Sequence, residues 1–235
     1  MQTRVYSVYK KLFDAFGPQG WWPTTPPDEI KPIHTGKKPE KERERLEIIV
    51  GAILTQNTSW KNVEKALENL NKEKMMDVYK IANTENTILA ELIKPAGYYN
   101  QKAERLKSFA EFLIKKYDGE TTKLFSLDVE KLRNELLNLQ GVGPETADSI
   151  ILYAAEKPVF VVDAYTTRIF SRLGFDAKGY EELQKLFMEN LPNDVSIFKE
   201  YHALLVNLGK NYCKKKEPDC KKCPLLDICR FSKDS

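Results

Sequence analysis

The chain has 235 residues, of which 42% are hydrophobic and 30% are charged, and its formal net charge is +3. These values are ordinary for a soluble globular protein of one domain or two small lobes, and so small a net charge indicates no class of partner. No apolar run approaches the length of a membrane-spanning helix, and residues 1–11 are too polar for a signal peptide. We therefore expect a cytoplasmic protein.

Helical periodicity dominates the chain from residue 46 onwards. Apolar residues at 46, 49, 50, 53 and 54 fall on one face of a helix. The same spacing predicts further helices around residues 63–70, 103–113, 132–139, 145–155, 165–173, 182–191 and 197–208. Residues 17–41 hold six prolines and predict an irregular linker, while the short apolar run 158–163 is a candidate for an extended segment. The pattern predicts an all-α fold with short connections.

A glycine-rich turn joins two of these helices. In Leu139-Gln-Gly141-Val142-Gly143-Pro144, the glycines permit a tight turn, and Pro144 suits the first position of the next helix. Such a turn directs backbone N–H groups towards an anion, which favours the binding of a DNA phosphate at Gly141, Val142 and Gly143. A plain turn between two helices explains the same residues equally well.

An aspartate follows this turn by about twenty residues. Asp163 ends the apolar run and precedes a predicted helix, where capping of the helix N-terminus is the commonest role of an aspartate. The sequence L-x-G-V-G-x-x-T-A-x-x-I followed by V-V-D nevertheless resembles the endonuclease III family of helix-hairpin-helix DNA glycosylases. The resemblance implies that Asp163 is catalytic and that the partner is double-stranded DNA containing a damaged base.

All four cysteines lie within residues 213–229, as Cys213, Cys220, Cys223 and Cys229. Four thiolates hold either zinc or a [4Fe–4S] cluster, and disulfide pairing is a further alternative. The spacing C-x6-C-x2-C-x5-C resembles the cluster loop of the endonuclease III family. By that resemblance, these cysteines bind a [4Fe–4S] cofactor.

The resemblance extends over most of the chain. Residues 50–58 resemble a helix end from which the family inserts a glutamine into the gap left by the flipped base, and Gln56 stands at that position. The family fold implies two helical lobes with a DNA cleft between them. One is a six-helix lobe over 41–157 with the hairpin, and the other is formed by 1–40 and 158–235 and holds the cluster loop. We expect a monomer in the prokaryotic cytoplasm, associated with the nucleoid when bound to DNA.

One position departs from the bifunctional members of that family. They carry a lysine nucleophile in G-V-G-x-K-T-A, whereas this chain has Glu145 there. A carboxylate cannot form a Schiff base with the sugar, so AP-lyase activity by that route is not expected. Water would cut the N-glycosidic bond instead and leave an abasic site. Alkylated purines such as 3-methyladenine and 7-methylguanine suit this reaction because they carry a positive charge and leave readily, while Asp163 stabilises an oxocarbenium-like sugar or activates water.

Further motifs resemble the 3-methyladenine glycosylases of the same superfamily, namely G-x-W-P, L-T-Q-N-T and G-x-x-x-E-x-A-D. By this resemblance, Trp21 and Trp22 line the base pocket, Glu145 belongs to the active site, and Lys210 lies near the pocket. Each of these residues also has a structural explanation. Core packing would account for the two tryptophans, a favourable interaction with the helix dipole would account for Glu145, and a place on the solvated surface would account for Lys210. Leu46 departs from the subgroup, which can carry an aromatic residue there.

Two other readings fit the sequence. The same fold could release another base, such as a mismatched thymine or uracil or an oxidised pyrimidine. A non-catalytic DNA-binding or redox-sensing iron–sulfur module is an alternative of a different class, because hairpins and clusters also occur without glycosylase chemistry. An aspartate at the motif position argues against the second reading.

Overall fold

The computed structural model describes residues 2–232 of the chain. Within this range the regular structure is helical, apart from one isolated antiparallel bridge between Thr24 and Ile33. The α-helices are α1 (Gln2–Phe16), α2 (Glu42–Leu54), α3 (Trp60–Lys72), α4 (Val78–Asn83), α5 (Asn86–Leu92), α6 (Tyr99–Tyr117), α7 (Thr121–Phe125), α8 (Val129–Leu137), α9 (Pro144–Ser149), α10 (Ala164–Leu173), α11 (Gly179–Asn190) and α12 (Val195–Asn211). The all-α prediction is confirmed. No helix in the described part of the chain combines the length and apolarity needed to cross a membrane.

The chain divides into two compact units. One is Trp22–Lys157, and the other combines Met1–Trp21 with Pro158–Ser235. The sequence predicts residues 22–40 in the second unit, whereas the structure groups them with the first. The reason is a buried polar network, in which the Thr25 N–H donates to Glu47 of α2 at 2.9 Å and Asn71 of α3 donates to the Thr25 hydroxyl at 2.9 Å.

Helix α2 forms the centre of the Trp22–Lys157 unit. Every residue from Leu46 to Leu54 is buried, including the glutamate at 47. The helix contacts α3, α6, α7 and α9, so it is covered on all sides over this stretch. Burial of each large aliphatic side chain contributes about 1.5–3 kcal/mol, which makes α2 the main packing element of the unit.

The helix predicted over 145–155 changes its hydrogen-bond pattern midway. Helix α9 ends at Ser149, and a π-helical turn follows over Ile150–Ala154. The Ala155 N–H donates to the Ile150 carbonyl at 3.0 Å, which is the wider bond of a π turn. The prediction of one regular helix is wrong here. Because all five residues of the turn are apolar, periodicity along the sequence does not reveal the change.

The second unit is built around aromatic side chains from the C-terminal helices. The Phe160 and Phe187 rings stack with centroids 3.7 Å apart, and Phe170 and Tyr201 also contact Phe187. The Tyr201 hydroxyl donates to the Val5 carbonyl at 2.9 Å and thereby fixes α1. Residues 158–163 have no regular secondary structure, although Val159 to Val162 are buried.

Candidate active site and cysteine centre

Asp163 lies at the start of α10, where its carboxylate caps the helix. Its Oδ1 atom accepts the Thr166 N–H at 2.7 Å and the Thr166 hydroxyl at 2.8 Å. Only 10% of the Asp163 side chain is exposed. The capping role that the sequence suggested is therefore present. It engages one carboxylate oxygen and leaves Oδ2 directed away from Thr166.

A histidine that the sequence reading did not identify lies beside this second oxygen. His202 Nε2 in α12 is 3.8 Å from Asp163 Oδ2, and 12% of the His202 side chain is exposed. Burial alone would raise the pKa of Asp163, but the His202 imidazole and the bonds from Thr166 outweigh burial and hold this pKa below its ordinary value. Asp163 is therefore a carboxylate at neutral pH, the form needed to stabilise a developing positive charge.

The hairpin turn, residues 139–144, has the conformation that its glycines predict. Gly141 has a φ of +79°, and the Val142 N–H donates to the Leu139 carbonyl at 3.1 Å to close the turn. Gly143 is the N-cap of α9, and a side chain built on it would meet only open space. Val142 stabilises the turn in two ways, because its backbone N–H makes this hydrogen bond and its side chain is buried.

Gln56 lies against this hairpin turn. Its Nε2 atom donates to the Gly141 carbonyl and to the Thr146 hydroxyl, both at 2.9 Å. Arg105 of α6 donates to the Gln56 Oε1 atom and packs on Gly141. The structure thus brings together the predicted DNA-binding residues Gln56 and Gly141, and it adds Arg105 to them.

Glu145 occupies the first turn of α9 and is exposed. Three residues further along, Asp148 is fully buried and receives two bonds from Arg133 of α8, at 2.8 and 3.1 Å. This paired contact fixes α8 to α9 on either side of the hairpin turn. The glutamate therefore projects from a helix whose position is held by a buried ion pair.

The two tryptophans predicted for the base pocket fall in different units. Trp21 is half-buried at the end of the N-terminal segment of its unit. Trp22 is 6% exposed, lies edge-on to Trp60 with ring centroids 5.4 Å apart, and packs on the glycine at position 51 of α2. Lys210 lies in the last turn of α12 and is exposed. Their contact with a base stays a prediction.

The four cysteines line one small cavity together with Arg172 and Phe231. All four are free thiols, so the disulfide alternative is not present. Among residues 2–232, no group of three or more His, Cys, Asp or Glu side chains is arranged to hold a metal ion, and the cluster itself stays a prediction. Burial raises the pKa of the Cys223 thiol to about 11, so a cation is needed to stabilise its thiolate at neutral pH.

An arginine joins the cysteine loop to α10. Arg172 donates to the Cys213 sulfur at 3.2 Å and to the Lys214 carbonyl at 2.8 Å, and its guanidinium lies over the Phe231 ring. The Cys229 thiol in turn donates to the Arg172 carbonyl at 3.6 Å. The four cysteines thus border one cavity with a guanidinium at its edge, and cysteine thiolates are the usual ligands of iron–sulfur clusters.

Sequence reasoning missed His202, Arg105 and Arg172. Each lies within an ordinary amphipathic helix and belongs to no motif, so its spacing carried no functional signal. The role of Thr166 could have been predicted from the sequence, because a hydroxyl three residues after an N-cap aspartate is placed to donate to the capping carboxylate.

Comparison with known proteins places this geometry in a family. The family model of the HhH-GPD superfamily base excision DNA repair proteins matches residues 50–193. A protein of Methanocaldococcus jannaschii described as a DNA repair glycosylase is 46% identical over 229 residues, which are 96% of this chain and 95% of the relative. Endonuclease III of Thermotoga maritima is 32% identical over 196 residues, covering 81% of this chain and 85% of the relative.

A solved structure extends the similarity to the fold. The crystal structure of the Helicobacter pylori 3-methyladenine DNA glycosylase bound to 1,N6-ethenoadenine superposes with a TM-score of 0.70 at 28% identity. The match covers 89% of this chain and 97% of that protein. The family resemblance inferred from the hairpin and aspartate motifs is confirmed, and the cluster loop stays a prediction. This chain belongs to the HhH-GPD superfamily of base excision DNA repair proteins, and within it is a DNA glycosylase homologous to endonuclease III.

Proposed function

We propose that this glycosylase is monofunctional and removes alkylated purines of the 3-methyladenine and 7-methylguanine type from double-stranded DNA. Two observations carry the proposal. Asp163 is ionised, and the chain has a glutamate, Glu145, at the position where bifunctional relatives have an amine. The H. pylori structure supports the substrate class, because that protein is a 3-methyladenine glycosylase.

The chemistry follows from the charge of the substrate. Alkylation at N3 or N7 makes the purine cationic, so the base takes the electron pair of the N-glycosidic bond and leaves neutral. The deoxyribose becomes oxocarbenium-like, and the Asp163 carboxylate stabilises this cation. Water then adds to the sugar carbon and loses a proton, for which Asp163 Oδ2 is the proposed acceptor. The product is an abasic site with the backbone intact.

The remaining predicted residues have supporting roles in this proposal. Gln56 enters the gap left by the flipped base, and the hairpin turn contacts a backbone phosphate near Gly143, where open space surrounds the turn. Trp21 and Trp22 contact the flipped base, since aromatic faces attract a cationic ring. Lys210 contributes near the same base. We propose that the protein acts as a monomer.

The cofactor proposed for the cysteine loop is a [4Fe–4S] cluster. Cys213, Cys220, Cys223 and Cys229 would each supply one thiolate, and their common cavity supports this assignment. The cluster would supply structural order to the loop and a redox-active group. The experiment that checks it is anaerobic purification followed by iron and sulfide analysis and visible absorbance, with replacement of all four cysteines by serine as the control.

The substrate test uses the purified protein and a panel of duplexes. Each duplex carries one lesion, and free base is measured after incubation with alkylated purines, mismatched thymine or uracil, oxidised pyrimidines, or adenine opposite a lesion. Release of 3-methyladenine or 7-methylguanine is expected from the wild type and not from Asp163→Asn. Release of a different base alone would overturn the substrate assignment.

The monofunctional assignment has a separate test. Borohydride traps the Schiff base that a lysine nucleophile forms with the sugar. No covalent protein–DNA adduct and no strand cleavage at the abasic site are expected. A trapped adduct would show that an amine attacks the sugar and would overturn the role assigned to water.

A further inference from the structure

The contact between Asp163 and His202 is not needed for helix capping. Thr166 already engages Asp163 Oδ1 with two hydrogen bonds, at 2.7 and 2.8 Å, and the capping requirement of α10 is met by that oxygen. The remaining oxygen, Oδ2, lies 3.8 Å from His202 Nε2. We infer that His202 is a positioning residue that holds the second oxygen of the catalytic carboxylate in place for the chemical step. This inference rests on the catalytic role proposed for Asp163.

Packing alone does not account for an imidazole at this point of α12. Tyr201 and Ala203, the neighbours of His202, are both buried, and α12 packs along α10. An apolar side chain would fill the same volume without the cost of burying a polar ring. That cost is offset when the ring faces a carboxylate, as it does at Asp163.

Other charged side chains of this unit that have assigned partners are directed elsewhere. Arg168 of α10 donates to the carbonyls of Gly209 and Cys213, and Glu200 of α12 accepts the backbone N–H of Gln19. Further examples are Arg172, which donates to Cys213 and Lys214, Arg4 of α1, which donates to the Leu173 carbonyl, Lys11 of α1, which pairs with Asp227, and Lys185 of α11, which pairs with Glu189. Besides burial, the groups that shift the pKa of Asp163 are His202 and Thr166.

A consequence for pH follows from the sign of this interaction. The His202 imidazole lowers the pKa of Asp163 against the effect of burial. Without the imidazole, the two contributions of His202 that lower the pKa of Asp163 are lost, so this pKa rises. Protonation would then inactivate the carboxylate at a higher pH, and the acid limb of the pH–rate profile would move upwards.

The test compares two substitutions of similar size. His202→Gln keeps an amide N–H near the position of Nε2 but lacks the imidazole ring, whereas His202→Leu fills the volume and has no donor. The matched control is His34→Ala, since His34 is the only other histidine of the chain and is exposed. Single-turnover release is measured on whichever lesion the wild type releases fastest. Affinity for a duplex with a stable abasic analogue is measured in parallel.

His202→Leu is expected to slow base release by about 10- to 100-fold, the range expected when a catalytic group is displaced by about 1 Å. Affinity for the abasic duplex should stay within about twofold, because the chemical step rather than docking depends on the carboxylate. His202→Gln should retain most of the rate at neutral pH while its acid limb moves to higher pH. His34→Ala should match the wild type in both rate and pH profile.

The outcomes separate this inference from the proposed function. Wild-type rate and pH profile in both His202 variants, with Asp163→Asn inactive, would overturn the positioning role alone. Full activity of Asp163→Asn would overturn the catalytic role on which the inference rests. If His202→Leu does not fold, judged by circular dichroism, the acid limb of His202→Gln decides, and an unshifted limb contradicts the inference.

Discussion

Replacement of Lys102 by methionine would remove an ammonium group from the interior of the Trp22–Lys157 unit. Lys102 lies in α6 with 1% of its surface exposed, and its Nζ atom donates to the carbonyls of Leu54 at 2.9 Å and Ala96 at 2.8 Å. The first carbonyl belongs to the end of α2, two residues before Gln56. The ammonium therefore ties the segment that carries Gln56 to the short helical turn Lys94–Ala96.

The magnitude of the effect follows from the pKa of this lysine. Burial, with a smaller contribution from the charge of Arg105, lowers the pKa of Lys102 from 10.5 to about 8. The lowering corresponds to about 3 kcal/mol of proton-binding free energy. Between about pH 8 and 10.5, the unfolded chain keeps this proton while the folded protein loses it, so the stability of the folded state rises with pH in this window.

The assay is thermal unfolding of the wild type and of Lys102→Met between pH 7 and pH 10.5. The wild type should gain stability relative to the variant by up to about 3 kcal/mol across the window, which corresponds to roughly 6–12 °C in Tm for a chain of this size. Other titrating groups contribute equally to both proteins and cancel in the difference. A difference in Tm between the two proteins that stays constant with pH would refute the conclusion that burial lowers the pKa of Lys102.

Three further predictions concern the hairpin, the carboxylate and the cysteine loop. Arg133→Met removes both bonds that Arg133 donates to the fully buried Asp148. Urea unfolding should show a loss of about 3 kcal/mol, the low end for a broken buried ion pair because 22% of the Arg133 side chain is exposed. A loss below about 1 kcal/mol would contradict the pairing. Thr166→Val removes the hydroxyl bond to Asp163 but keeps the backbone bond, and it should slow single-turnover base release by about tenfold with unchanged duplex affinity, as expected for one hydrogen bond to a charged group; an unchanged rate would show that this hydroxyl does not position the carboxylate. Arg172→Ala removes the donor to the Cys213 sulfur, so the visible absorbance of the cluster should bleach faster in the presence of a chelator than in the wild type, and equal bleaching rates would refute the contact.

The sequence predicts most of the longer helices, because their apolar residues recur at helical spacing. It identifies the central helix from Leu46 and its neighbours, and it identifies Asp163 and the four cysteines because their spacing is specific. The short helices α4, α5 and α7 were missed, since five to seven residues span too few turns to establish a period. Helix α1 was also missed, although Val5, Val8 and Leu12 are buried at helical spacing.

The contacts that complete the site could not be predicted from the sequence. His202 lies 39 positions after Asp163, and no local pattern links a single histidine on a helix to a distant carboxylate. The grouping of residues 22–40 with the middle of the chain depends on hydrogen bonds from Thr25 to Glu47 and from Asn71 to Thr25. Such polar contacts between distant residues are a product of the tertiary fold, and hydrophobic patterning does not encode them.

The edge-on contact between Trp22 and Trp60 has a practical consequence for spectroscopy. All tryptophans of the chain, Trp21, Trp22 and Trp60, lie within its first 60 residues, and two of them touch. Tryptophan fluorescence therefore arises from the first 60 residues, and residues 158–232 contain no tryptophan that could contribute to it. Quenching upon addition of a lesion-containing duplex would follow events near that indole pair without any attached dye.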